Sequence, residues 1–552
     1  MFKRLVKNGR HLLTREHSNI LSAATVIMFS AAASALLGVL RNRLLITYFY
    51  HQPAILDVYW AAFRLPDMVF QLLVVGSLSA AFIPVFSQLL TKSKQTANLV
   101  ASSTINFILT LLLIFSAIIF IFARPLSGLI AHGFSSQQLD LMASLTRIMI
   151  FAQLLFGLSS FLTGIIQSHK RFLVPALSPL LYNLGIILGT VLFSRSLGIY
   201  GPALGVVLGA LFHLIAQIPL ARTLGFRYSW SWDLKHPAVR EIGRLMIPRT
   251  LALSVMQLEQ TALVFFATSL AQGSLTMIYI AQQLTNLPVR MFGIPIAQAS
   301  LPFFTKDYAQ HKFTKLNRML TSSILEIVYL TLPASILILV LRIPLVRLAY
   351  GAGSFPWKAT VTTGKLVAIL SLAVVARSLV HLAVRVFYAL HNTKIPFLVA
   401  TLATFLNISL AAYLVFILHA SVISLALSLT VSAFIEAILL IVLLFRFLKL
   451  KPQFLFYFSL LKIIIISALT AVALWLPFRF FDQFIFDTTR TLPLLILTLT
   501  TSFIGLSIYL IFSLWFKVDQ LQIFIKLFKR LGNWQQVLAK TSEPIDQPKP
   551  TV

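Results

Sequence analysis

The chain is divided, almost end to end, into runs of about 20 or more mostly apolar residues separated by short polar breaks. A bilayer's hydrocarbon core is about 30 Å thick, which about 20 residues of helix cross. Inside lipid, a segment must satisfy its own backbone amides, so such runs are helices or strands of a closed barrel. Their length decides for helices. Fourteen candidates lie near 21–49, 58–90, 98–122, 141–167, 174–194, 202–220, 245–270, 276–304, 319–341, 365–390, 396–417, 423–445, 457–476 and 491–516. The expected fold class is an all-α polytopic membrane protein with about 14 transmembrane helices. Only 11% of the 552 residues are charged, against about a quarter in soluble domains. Cysteine is absent, which excludes disulfides and thiolate metal sites.

The net charge of +30 would suggest nucleic acid in a soluble protein, but its distribution points to the bilayer. Loops on the N-terminal side hold 28 Lys and Arg, loops on the other side hold 7, and 10 lie within spans. Basic loops stay in the cytoplasm, so both termini are expected there, facing the anionic inner leaflet. Residues 1–20 lack the order of a cleaved signal and read as a basic cytoplasmic start. The tail 517–552 contains "IFIKLFKRLGNWQQVLAK", suited to lying on a membrane, and ends in the disorder-prone "TSEPIDQPKPTV".

The longest polar stretch between spans, 221–244, splits the chain after six helices. Each half opens alike: "VYWAAFRLPDMVF" then Pro84, and "IYIAQQLTNLPVRMF" then Pro302. Each later carries a long helix, a basic turn and a proline, "IIQSHKRFLVP" and "VFYALHNTKIP". Two pseudo-repeated six-helix lobes are expected, 21–220 and 245–445, joined by a cytoplasmic linker. Helices 13 and 14 (457–516) stand outside the repeat.

Polar groups inside spans are the functional candidates, because lipid makes them costly. Arg41 and Arg43 lie about 200° apart on a helix, so one faces a cavity and the other is expected to snorkel toward the outer headgroups. Arg64 precedes Pro66, which should kink its helix. Gln282, Gln283 and Asn286 form a polar stripe near Arg290. Glu259 and Glu436 are intramembrane acids. Asn407, Ser428, Thr430 and Ser432 offer oxygens to a hard cation such as sodium, and serve equally as ordinary glue between helices. Arg377, His381 and Arg385 either pair with Glu436 or serve the cavity. No phosphate-binding loop, zinc motif or nucleophile elbow is present, so a transporter is expected and not an enzyme. A cavity rich in arginine suits an anionic, phosphate-bearing substrate.

The runs "DVYWAAFRLPDMVFQLLVVGSLSAAFIPVFSQ" (57–88), "RFLVPALSPLLYN" (171–183), "YIAQQLTNLPVRMFGIPIAQASLPFFTK" (279–306), "YGAGSF" (350–355) and "RVFYALHNTKIP" (385–396) resemble the MurJ (MviN) lipid II flippases of the MOP exporter superfamily. The resemblance implies a monomeric two-lobed transporter of the bacterial inner membrane. It would carry lipid II, an undecaprenyl-pyrophosphate-linked precursor of peptidoglycan, by alternating access. Helices 13 and 14 would then form a groove for the lipid tail. Membrane potential or sodium would provide coupling, with Glu259, Asn407, Ser428 and Thr430 as candidates, and no cofactor is implied. The substrate-binding set would be Arg41, Arg64, Arg290, Gln282, Gln283, Asn286 and Asp57. The first-helix motif keeps Ser34, Gly38 and Arg41 but has Ala35 and Asn42 where the family has Arg and Asp. Phe70, Gln282 and Gln283 replace further family charges, Asn286 stands where an acid is often found, and Leu263 takes the usual acid or Asn position. These departures leave open a flippase for another polyprenyl-phosphate-linked glycan, or a non-transporting scaffold of the same fold.

Overall fold

The computed structural model describes residues 20–351 and 355–521. The basic start, most of the expected amphipathic tail and the centre of "YGAGSF" lie outside these residues. Among those described the chain is helical, with fourteen long stretches: α1 (Ile20–Phe49), α2 (53–92), α3 (Lys94–Ile121), α4 (Ser136–Ser168), α5 (Leu173–Leu197), α6 (Tyr200–Thr223), α7 (Pro237–Thr268), α8 (274–309), α9 (Phe313–Val340), α10 (Trp357–Ala389), α11 (Lys394–Ile417), α12 (Ile423–Phe447), α13 (Phe454–Ile485) and α14 (Thr491–Trp515). Twelve contain a segment long and apolar enough to cross a membrane. The two outside that set, α1 and α8, carry Arg41–Asn42–Arg43 and the stripe from Gln282 to Arg290.

The packing repeats. In the first lobe α1 packs on α5, α5 on α6, α6 on α4, and α4 on α2 and α3, which also touch. Adding six to each number gives the second lobe: α7 on α11, α11 on α12, α12 on α10, and α10 on α8 and α9, which also touch. The closest approach is between α5 and α6. Gly185 and Gly189 face Gly201, Gly205 and Gly209, and a Cβ on Gly189 would come within 2.4 Å of the Gly205 Cα. Such four-residue spacings of small residues let bilayer helices meet backbone to backbone. α13 packs on α9 and α14, outside the repeat.

Prolines break helices in recoverable ways. Pro66 cannot donate to the carbonyl four residues back. α2 is interrupted at Phe63, and the Ala62 carbonyl accepts instead from Thr146 Oγ1 of α4 at 3.2 Å. Pro333 in α9 leaves the Tyr329 carbonyl free in the same way, and Tyr509 OH of α14 donates to it at 2.8 Å. Further down, α2 has two π-helical turns, Gln71–Val75 and Leu78–Phe82, and α8 has one, Val289–Gly293, just after Pro288.

The segment between the lobes is laid along α3. Asn98 Nδ2 donates to the Gly225 carbonyl (3.1 Å), Asn106 Nδ2 to the Ser231 carbonyl (2.8 Å), and Tyr228 OH to Asn106 Oδ1 (2.6 Å). The Ser229 and Asp233 amides donate to Ser102 and Ser103 Oγ, at 3.1 and 3.2 Å. Irregular backbone near lipid needs such partners, and α3 supplies them from a stretch buried on all sides, Val100 to Asn106.

Candidate functional site

The lobes meet along α2 and α7, and at one end through residues 53–62 against 274–288 and α1 against the short helix Arg342–Tyr350. This end is the one opposite the 28 basic loop residues; we call the two the far end and the basic end.

At the far end the contact is made by Asp57, 2% exposed. Its Oδ2 accepts from the Gly273 amide at 2.6 Å, and its Oδ1 accepts from the Thr276 amide and Oγ1 at 2.8 and 2.7 Å. Gly273, at φ +89°, is the N-cap position of α8 and brings no side chain of its own. The free amides of a helix's first turn need an acceptor and favour a negative charge. Here α8 of the second lobe is capped by a carboxylate from the first. Asp57, expected among the substrate-binding groups, is consumed by this cap in the present conformation. Nearby, Arg43 Nη1 donates to the Leu348 carbonyl of the short helix at 2.8 Å. It does not snorkel, because a second-lobe backbone acceptor lies within its reach.

Toward the middle of the bundle the polar residues form two linked groups. Arg41 Nε donates to Asn42 Oδ1 (2.9 Å) and its Nη1 to Asn183 Oδ1 of α5 (3.1 Å). Asn183 Nδ2 donates to the Ser34 carbonyl (3.3 Å) and Oγ (3.2 Å), and Asn42 Nδ2 donates to Gln283 Oε1 across the lobe boundary. Gly38 lies beneath, 3.6 Å from Gln283 Nε2 as measured from a would-be Cβ.

The second group begins at Arg64, 8% exposed. Its guanidinium donates to Thr261 Oγ1 (3.1 Å) and to Gln257 Oε1, both on α7 of the other lobe. Asp67, one turn on, accepts from Gln153 Nε2 of α4 at 2.7 Å. Within the second lobe, Glu259 Oε1 accepts from Asn407 Nδ2 (3.0 Å), and Arg377 Nη1 donates to Asn286 Oδ1 (3.2 Å). Arg377 lies within electrostatic reach of Glu259 and Glu436.

The expected polar stripe on α8 is therefore divided. Gln283 crosses to the first lobe, while Asn286 turns toward α10 and Gln282, on its side of the helix, is 9% exposed. Arg290 is exposed and lies seven residues from Gln283, close to the same helical face. Of the cation candidates, Glu259 and Asn407 are joined. Ser428 lines a small, mostly apolar cavity with Asn407 and Leu263, and Asn407 Oδ1 is buried without a hydrogen-bond partner. Thr430 does not join them; its hydroxyl donates to the Ile369 carbonyl of α10 at 3.1 Å. Among the described residues no cluster of three His, Cys, Asp or Glu could hold a metal.

Sequence reasoning missed Asn183, Gln257 and Thr261, the neutral partners of the arginines, and Gln153, the partner of Asp67. The spacing of Gln257 and Thr261, one helical turn, was an available signal.

A sequence model of the family described as lipid II flippase MurJ matches residues 46–496. The chain belongs to this family. A probable lipid II flippase MurJ of Thermotoga maritima is 26% identical over 469 residues, covering 85% of this chain and 90% of the relative. One of Bdellovibrio bacteriovorus is 26% identical over 412 residues, covering 73% and 78%. Among solved structures, "Lipid II flippase MurJ, inward closed conformation" superposes with a TM-score of 0.74 at 23% identity, over 90% of this chain and 99% of that one. An inward-facing multidrug MATE transporter of the MOP superfamily gives 0.63 at 15% identity, over 75% and 94%. At these identities the structures establish the fold: this is a polytopic membrane protein with the two-lobed architecture of MurJ and MATE-like transporters.

Proposed function

We propose that the chain translocates lipid II, the undecaprenyl-pyrophosphate-linked peptidoglycan precursor, from the inner to the outer leaflet of the bacterial cytoplasmic membrane by alternating access. Family membership and the relatives' names support the reaction. One observation carries it to these residues. Arg41 and Arg64 are held at the lobe boundary by amides and a hydroxyl, not by carboxylates. Amide oxygens fix a guanidinium's direction without cancelling its charge, and none of the three ion pairs among the described residues includes an interlobe arginine. Arg64 has the Asp67 carboxylate within electrostatic reach but no direct ion pair with it, and guanidinium forks oriented in this way suit a pyrophosphate.

The tail of such a lipid needs an apolar path. Two clefts run beside α13, one of about 840 Å³ between Leu339, Ile369 and Val472 and one of about 660 Å³ between Val328, Val442 and Leu460. Their walls support a role for α13 in holding the tail. Sodium at Glu259, Asn407 and Ser428 is the coupling we favour.

Growth of cells depleted of their own lipid II flippase tests the reading. Rescue by this chain, and none by Arg41→Ala, is expected; failure to rescue despite correct membrane insertion would overturn it. Sodium titration of transport in vesicles tests the coupling: stimulation is expected in the native chain and should vanish in Glu259→Gln.

A further inference from the structure

We propose a second anion-binding site, built by Arg249 of α7 and Arg385 of α10 with His381 one turn from Arg385, nearer the basic end than the Arg41–Arg64 groups and suited to a diphosphate. Its role as an entry station for the transported headgroup rests on the translocation reading; its chemistry does not.

Helix geometry sets the level. Glu259 and Arg377 share the second-lobe network. Arg249 lies ten residues before Glu259 on a helix running from the basic end, and Arg385 eight residues after Arg377 on one running toward it. At 1.5 Å per residue both are displaced by about 12–15 Å in the same direction. They arrive together: Arg249 and Arg385 lie within electrostatic reach of each other, and His381 within reach of Arg385 and Arg377. Arg377, His381 and Arg385 recur every four residues, a single stripe on α10.

Two guanidinium groups, Arg249 and Arg385, thus converge, with no carboxylate among the electrostatic neighbours of Arg385 in the described residues. Neither joins the ion pairs formed among the described residues. Glu326 of α9 is engaged by Ser322 Oγ of its own helix at 3.0 Å. The Nε of Arg249 is buried and has no hydrogen-bond partner. Like charges brought together in a low dielectric repel, and a buried donor left unmade is costly. Both defects are relieved by one ligand, a multivalent anion with oxygens on two sides. A diphosphate between Arg249 and Arg385 would accept from both forks. Such an anion would meet this layer before the amide-held arginines when it enters from the basic end.

The test is inorganic pyrophosphate binding to the full chain in lipid nanodiscs. In an Arg41→Gln/Arg64→Gln background, which takes the other pyrophosphate-suited arginines out of the readout, Arg249→Gln/Arg385→Gln should weaken binding at least tenfold, and Arg249→Lys/Arg385→Lys, which keeps the charges, should recover most of it. Unchanged affinity when Arg249→Gln/Arg385→Gln is added overturns the site. A second readout does not depend on those variants folding. The chain has no cysteine, so Tyr388→Cys, a neighbour of Arg385, reports alone. Pyrophosphate should slow its maleimide labelling at least fivefold, and labelling indifferent to pyrophosphate also overturns the site. Pyrophosphate carries neither sugar nor polyprenyl chain. Binding here without lipid II transport would therefore count against the flippase reading and not against this site.

Discussion

Asp57 offers the sharpest test of how the lobes are held. Its carboxylate takes three hydrogen bonds from the first turn of α8. Asp57→Asn keeps one oxygen and turns the other into an NH₂ group. With the oxygen placed toward Thr276, two bonds survive but lose charge assistance, about 1 kcal/mol each. The Gly273 amide then faces a donor, which costs about 1–3 kcal/mol more. The total, about 3–5 kcal/mol, falls on the state in which the far end is closed. At 1.4 kcal/mol per decade, the ratio of open to closed far end should rise by about two to three and a half orders of magnitude. Ser274, beside the cap, is 1% exposed. In this cysteine-free chain, Ser274→Cys is a single reporter for a membrane-impermeant maleimide added from outside. Labelling should be slow in the Ser274→Cys background and faster by about a hundredfold or more when Asp57→Asn is added, up to the limit of the fully open state. A rate within twofold of the background would show that the carboxylate cap does not hold the lobes together.

Other perturbations are simpler. Arg41→Lys keeps a charge but not the fork that engages Asn42 and Asn183; transport in vesicles should fall at least tenfold, and a native rate would remove Arg41 from the binding groups. Tyr509→Phe leaves the Tyr329 carbonyl opposite Pro333 without a donor, so the protein should lose about 1 kcal/mol, visible as a lower midpoint in thermal unfolding. Gly189→Leu drives a side chain into the Gly205 backbone; overpacking of about 3 kcal/mol or more should abolish recovery of folded protein from membranes, whereas Gly243→Leu, in open space, should not.

The architecture was legible because lipid imposes it: long apolar runs, polar breaks and a charge asymmetry leave little freedom. Arg41 and Arg64 were legible because an arginine in such a run must be explained. Their partners were not. Asn183, Gln257 and Thr261 are neutral, cheap enough in an apolar helix to pass unnoticed, and only the crossing of helices distant in sequence brings them to the arginines. Asp57 was visible as an acid but not as a cap, since its donors are backbone amides more than 200 residues away. Arg43 failed for the same reason: its acceptor is the Leu348 carbonyl, which no side-chain pattern announces. Thr430 was misplaced because a hydroxyl's direction depends on the helix's rotation, and α10 lay on the side it faced.

The segment laid along α3 changes what kind of machine the two lobes can form. Its last attachment, the Asp233 amide on Ser103, lies four residues before α7 begins at Pro237. Four residues span at most about 14 Å, so the first part of α7 is leashed to the first lobe even though the helix belongs to the second. Pro248, inside α7, removes a backbone bond a little further on. While the bonds to α3 hold, the start of α7 can stray from the first lobe only within the reach of that tether, so any large separation of the lobes has to be taken up along α7 or break the tether.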